Sequence, residues 1–162
     1  MKGTRSFSGK LMTAAFAALS VFAFSSCKGD LGEMDDTGTT YTISGNAAGS
    51  QMVPAVTGTG SGTITGTYNT GTNQLSYTST WTGLTGGPTK AGFYMGASGQ
   101  SGTMVGSAWT LGTNTTAAGT YTGNMILTDA QEADLLAGRW YYTLGTATNA
   151  NGEVRGQIMA KR

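Results

Sequence analysis

The chain has 162 residues, with 9 Lys or Arg against 8 Asp or Glu, a formal net charge of +1. So even a balance leaves no basic stripe to neutralise phosphates and excludes a nucleic-acid partner. The chain contains no histidine and one cysteine, so Ser-His-Asp and Cys-His nucleophilic arrangements are excluded.

The N-terminus carries Lys2, Arg5 and Lys10, followed by the apolar segment 11–24 and then Phe24-Ser25-Ser26-Cys27. A basic start, an apolar stretch and a small-residue cleavage site make the pattern of a secretory signal peptide. With the cysteine at the cut it resembles a bacterial lipoprotein signal over 1–26, with Phe24 where such signals usually carry Leu. The resemblance implies diacylglyceryl transfer to the Cys27 sulfur and an envelope location at the outer membrane, held there by lipid. The apolar stretch is shorter than the roughly 20 residues a membrane-crossing helix needs, so the membrane partner is expected to be reached through acyl chains alone. Residues 27–40 hold Asp30, Glu33, Asp35 and Asp36 among Gly and Thr, a composition that predicts a flexible, solvated linker. Acidic residues here also resemble signals that send some lipoproteins to the outer cell face.

From Tyr41 to Arg162 the hydrophobic period is two. Leu75, Tyr77, Ser79 and Trp81 alternate with polar neighbours; so do Val105, Ser107, Trp109 and Leu111, and then Tyr121, Gly123, Met125 and Leu127. Trp140, Tyr142 and Leu144 follow, and finally Val154, Gly156, Ile158 and Ala160. Such alternation predicts half-buried strands, and Asn69-Thr70-Gly71, Gly86-Gly87-Pro88, Gly112-Thr113-Asn114 and Asn151-Gly152 supply the turns. Pro54 and Pro88 are expected in connections. The sum is an all-β domain over 41–162, a Greek-key-like antiparallel β-sandwich or flattened barrel of about eight strands. One segment departs from the pattern. Thr128 followed by Gln131 forms a capping box and Gly138 a stop, which predicts a short helix over 129–137. Asp129, Glu132 and Asp134 are read as favouring the positive end of its dipole rather than as a metal or acid/base cluster.

These residues carry a family resemblance. Ser44-Gly45 with Gln51-Met52-Val53-Pro54-Ala55, Gly60-Ser61-Gly62-Thr63, Leu75-Ser76-Tyr77, Gly83-Leu84-Thr85-Gly86, Gly99 with Gly102, Leu136 to Tyr141, and Gly152-Glu153-Val154-Arg155-Gly156-Gln157-Ile158 run in order along the domain. They resemble the landmarks of the CHRD domain, a module described in chordin and widespread in bacteria. The family usually has A-H-I-H where this chain reads Ala91-Gly92-Phe93-Tyr94, and H-T where it reads Gly145-Thr146. Its three histidine positions are therefore Gly92, Tyr94 and Gly145, and its opening Glu is Met52. No cofactor, metal site or histidine-dependent activity is expected to carry over.

The remaining candidates are few. Trp81, Trp109, Trp140 and Tyr77 are expected in the core. Tyr94 and Tyr141 are the candidate ligand-binding rings, one or both facing solvent where they would stack on a sugar. Glu153, Arg155 and Gln157 share one strand face and are read as a structural ladder, Glu153 and Arg155 pairing sideways or meeting partners on neighbouring strands. No residue is assigned a catalytic role. The favoured reading is a non-catalytic binding or structural module on a lipid anchor, with a protein or glycan partner at the cell surface. The alternative is a carbohydrate- or ligand-binding lipoprotein feeding an uptake system; a glycoside-active enzyme would need two carboxylates facing across a cleft.

Overall fold

The computed structural model describes residues 38–113 and 115–162. The chain separates into units 1–34 and 35–162, and every described residue belongs to the second. The signal-like segment, Cys27 and most of the acidic linker lie outside the described residues.

All strands are antiparallel. A meander of β1 (Thr40–Ala48), β2 (Ser61–Asn69) and β3 (Gln74–Thr82) is followed by the hairpin β4 (Pro88–Met95) and β5 (Thr103–Val105). Strand β6 (Gly119–Ile126) returns to pair with β3, and helix α1 (Asp129–Leu136) leads to β7 (Trp140–Thr146) beside β4. Strands β8 (Val154–Gln157) and β9 (Met159–Lys161) close the chain. The spatial order is β5-β4-β7-β8-β1-β2-β3-β6, with β9 also on β1. The last two strands are one segment interrupted at Ile158. Its first half lies between β7 and β1 and its second half pairs with β1 again, so it joins the two halves of the sheet.

The sheet curls until its halves face each other, a half-barrel that matches the expected flattened barrel. Tyr77 of β3 meets Phe93 of β4 with ring centroids 4.7 Å apart, and Phe93 lies 5.5 Å from Trp140. Trp109 packs 5.2 Å from Phe93 and stacks on Tyr121 at 5.1 Å. Phe93, Trp109, Trp140 and Tyr77 are all buried, as is Trp81. Each such ring removes about 150–250 Å² from water, so this aromatic cluster, with the buried aliphatic side chains around it, supplies much of the cohesion in a domain without disulfides among its described residues.

Three local expectations need correction. Val105 to Leu111 is not a strand: β5 stops at Val105, and the chain beyond follows β4 irregularly, with Trp109 N donating to Ala91 O at 2.9 Å. The period of two reflected Val105 and Trp109 reaching the same core across a non-helical connection. Pro88 opens β4 rather than sitting in a connection, at the strand-end position where a missing N–H costs no ladder bond. The helix ends at Leu136, with Ala137 as its cap. The capping box forms as expected, Gln131 N donating to Thr128 Oγ1 and Thr128 N to Gln131 Oε1. Gly138 has φ +69°, the left-handed turn that ends a helix without a Cβ clash.

Candidate functional site

Strands β4, β7 and β8 lie side by side, so alternation sorts their residues onto two faces. Ala91, Phe93, Trp140, Tyr142, Leu144 and Val154 are at most 2 % exposed and face the core. Lys90, Gly92, Tyr94, Tyr141, Thr143, Gly145, Arg155 and Gln157 therefore face outward. The register sets Tyr94 opposite Tyr141 and Tyr141 opposite Gln157; Gly92 lies opposite Thr143 and Thr143 opposite Arg155. Gly92, Tyr94 and Gly145 thus share one outer face, and that face here carries rings and cations.

This outer face is not bare. The β4–β5 connection folds over it, held by Arg155 Nη2 donating to Ala97 O at 2.8 Å and Gln157 Nε2 donating to Gly96 O at 3.0 Å, while the same Gln157 Nε2 donates to Gly138 O before β7 at 2.9 Å. Gly102 N donates to the Tyr141 hydroxyl at 2.9 Å. A Cβ at Gly102 would stand 1.5 Å from Met95 O, so only glycine lets the connection lie this close. With Met52-Val53-Pro54 on the other side, the loops enclose a recess of about 340 Å³ reached by Lys90, Tyr94, Tyr141, Thr143, Asn151 and Arg155.

Within it, Tyr94 and Tyr141 stack with centroids 5.4 Å apart and planes 14° from parallel. The Arg155 guanidinium carbon lies 3.6 Å from the centre of the Tyr141 ring, a cation–π contact. Tyr141, expected as a second solvent-facing ring, is only 5 % exposed; the folded-over connection that sequence alternation could not foresee covers it. Tyr94 remains half-buried. A second recess of about 420 Å³ runs along Thr113, Thr115 and Thr120 and has no charged side chain in its lining.

Glu153 and Arg155 do not pair with each other. Glu153, 2 % exposed, accepts Thr85 N at 2.8 Å, the Thr85 hydroxyl at 2.5 Å and the Thr146 hydroxyl at 2.6 Å. Burial alone would push its carboxyl up, but the bonds from Thr146, Thr85 and Asn149 outweigh it and hold the carboxyl below its ordinary value. Thr85 and Thr146, which the sequence showed only as members of the landmarks Gly83-Leu84-Thr85-Gly86 and Gly145-Thr146, are the residues that fix Glu153. The landmarks were visible, but a partnership across 68 positions was not. Glu153 thus ties the β3–β4 connection to the end of β7. Asp134 pairs with Arg139 and not with the other helix acids. Among the described residues, no three Asp, Glu, His or Cys side chains gather closely enough to hold a metal ion.

Comparison with known proteins agrees with the landmarks read from the sequence. The model of the CHRD domain matches residues 43–158, from the core residue Ile43 of β1 to Ile158 between β8 and β9. No curated protein and no solved structure matches the chain. Residues 43–158 are well over half of the 162, and the chain belongs to the CHRD domain family.

Proposed function

We propose that this chain is a lipid-anchored, non-catalytic CHRD module of the bacterial cell envelope, tethered at the outer membrane, that acts by binding a surface partner through the outer face of β4, β7 and β8. The observation that carries the reading is the recess on that face, where a buried guanidinium, a lysine and a half-buried tyrosine converge under two loops. Pockets with a few converging polar groups are where proteins take small ligands. The non-catalytic part is supported by Glu153, whose oxygens are already engaged by three donors. The anchor is supported by the run Phe24-Ser25-Ser26-Cys27 after an apolar segment.

Two experiments test this. Labelled palmitate fed to cells making the chain should enter the wild type and be absent from Cys27→Ser, which should also leave the membrane fraction; equal labelling of both refutes the anchor. The full chain in neutral detergent, applied to an array of neutral and acidic glycans, should bind a subset that Tyr94→Ala loses. Identical binding by both proteins refutes this face. The carbohydrate-capture reading, in which the ligand is handed to an uptake system, is favoured by the accessible part of the Tyr94 ring, and neutral sugars on the same array are its test.

A further inference from the structure

Arg155 is 3 % exposed, and a charge so buried is normally paired. Its Nη2 donates to Ala97 O at 2.8 Å and more weakly to Gln157 Oε1 at 3.4 Å, and Tyr141 stacks beneath the guanidinium. Among the described residues nothing accepts from its Nε or Nη1. No carboxylate among the described residues answers its charge either. Asp134 is taken by Arg139, Glu153 is saturated by threonines, and Asp129 and Glu132 lie in the first turn of α1, outside the lining of this recess. A second cation, Lys90, reaches the same recess. Among the described residues, two positive groups and no negative one thus border a single cavity, and part of the Arg155 donor set is unused there.

Resting on the binding reading above, we infer that this recess holds the anionic group of an acidic sugar, a carboxylate or sulfate received by Arg155 and Lys90. The guanidinium supplies planar donors that match such oxygens, and Lys90 adds a point charge at the mouth. The rest of the lining suits a sugar ring better than an acyl chain or an extended peptide. Thr143, Asn151 and Ser101 offer two hydroxyls and an amide, Tyr94 offers part of a ring, and Met52, Val53 and Pro54 form an apolar wall for the carbon face of a sugar. A volume of about 340 Å³ is at the small end of ligand pockets, room for about one sugar unit in the recess itself. The hydroxyls of a neutral sugar could accept from Arg155 but would leave its charge unanswered, whereas a carboxylate or sulfate gives the stronger, charge-assisted bonds.

The test is titration of the full chain in neutral detergent with glucuronate, glucose and inorganic sulfate, read by calorimetry and by the Nε resonance of Arg155 in ¹⁵N spectra. The expected result is glucuronate binding at least tenfold tighter than glucose, weakened by added salt, with the Arg155 Nε signal moving for glucuronate and still for glucose. Lys90→Gln, an exposed change that spares the fold, should weaken glucuronate several-fold and leave the melting temperature unchanged. Equal affinity for glucose and glucuronate, or a static Arg155 signal with glucuronate bound, overturns the inference. Sulfate binding as tightly as glucuronate overturns the sugar half of it. A neutral ligand lost in Tyr94→Ala overturns the inference alone and leaves the binding face standing, whereas no ligand on the whole array overturns both.

Discussion

Replacing Glu153 by Gln keeps the size of the side chain, removes its charge and turns one of its two acceptor oxygens into an amide donor, which tests what the buried carboxylate contributes. Three donors reach it within 2.8 Å, one of them a backbone N–H. A hydrogen bond to an ionised group contributes about 1.5–3 kcal/mol net, against about 0.5–1.5 for a neutral pair. Neutralising the acceptor therefore removes about 1 kcal/mol per bond, about 3 in all. Relief from burying a charge offsets part of this, leaving an expected loss of about 2 kcal/mol.

The pH dependence provides a second signature. The folded pKa of Glu153 is depressed below its ordinary 4.5. A depressed carboxyl contributes stability that is complete above the unfolded pKa and is lost as pH falls through the folded value. Wild type should therefore lose stability on acidification below about pH 4.5 more steeply than Glu153→Gln, and the two curves should converge in acid. Urea unfolding of both full chains at pH 7 and across the acid range measures it, the helix acids being common to both. Equal stability at pH 7, or parallel curves in acid, would show that the threonine cage does not hold an ionised carboxylate.

Two further changes probe the packing. The Tyr142 hydroxyl is buried and has no hydrogen-bond partner among the described residues, so Tyr142→Phe should raise stability by up to about 1 kcal/mol in urea unfolding. A loss of that size would reveal an acceptor for the hydroxyl. Thr128→Ala removes the hydroxyl that caps α1 and should cost about 1 kcal/mol. Adding Gln131→Ala should then cost little more, because the capping box acts as one unit; full additivity in the double mutant would contradict reciprocal capping.

Much of this protein was legible in its sequence because the signals were local. Tyr77 and Trp81 follow the two-residue alternation that a strand imposes on its own neighbours, and both reach the core. Thr128, Gln131 and Gly138 announce a helix within a span of eleven residues, and the helix is there. The ordered landmarks from Ser44 to Ile158 carried the family. Val105 to Leu111 misled because a connection that drops two apolar side chains into one core has the same period as a strand.

What the tertiary structure decided was every partnership between residues far apart in the chain. Alternation placed Tyr141 on the outer face of β7, yet only the folded-over connection, bonded by Gly102 N to its hydroxyl, determined that it is buried. Glu153, just before β8, and Arg155 within it sit two apart in the chain, and their spacing alone allows them to pair. They part because Thr85 and Thr146 on one side, and Ala97 with Tyr141 on the other, are brought to them by loops closing across the sheet. Periodicity is a property of adjacent residues and is written in the sequence; which charge remains unanswered in a recess depends on how distant segments share the space, and that is settled only when the sheet curls.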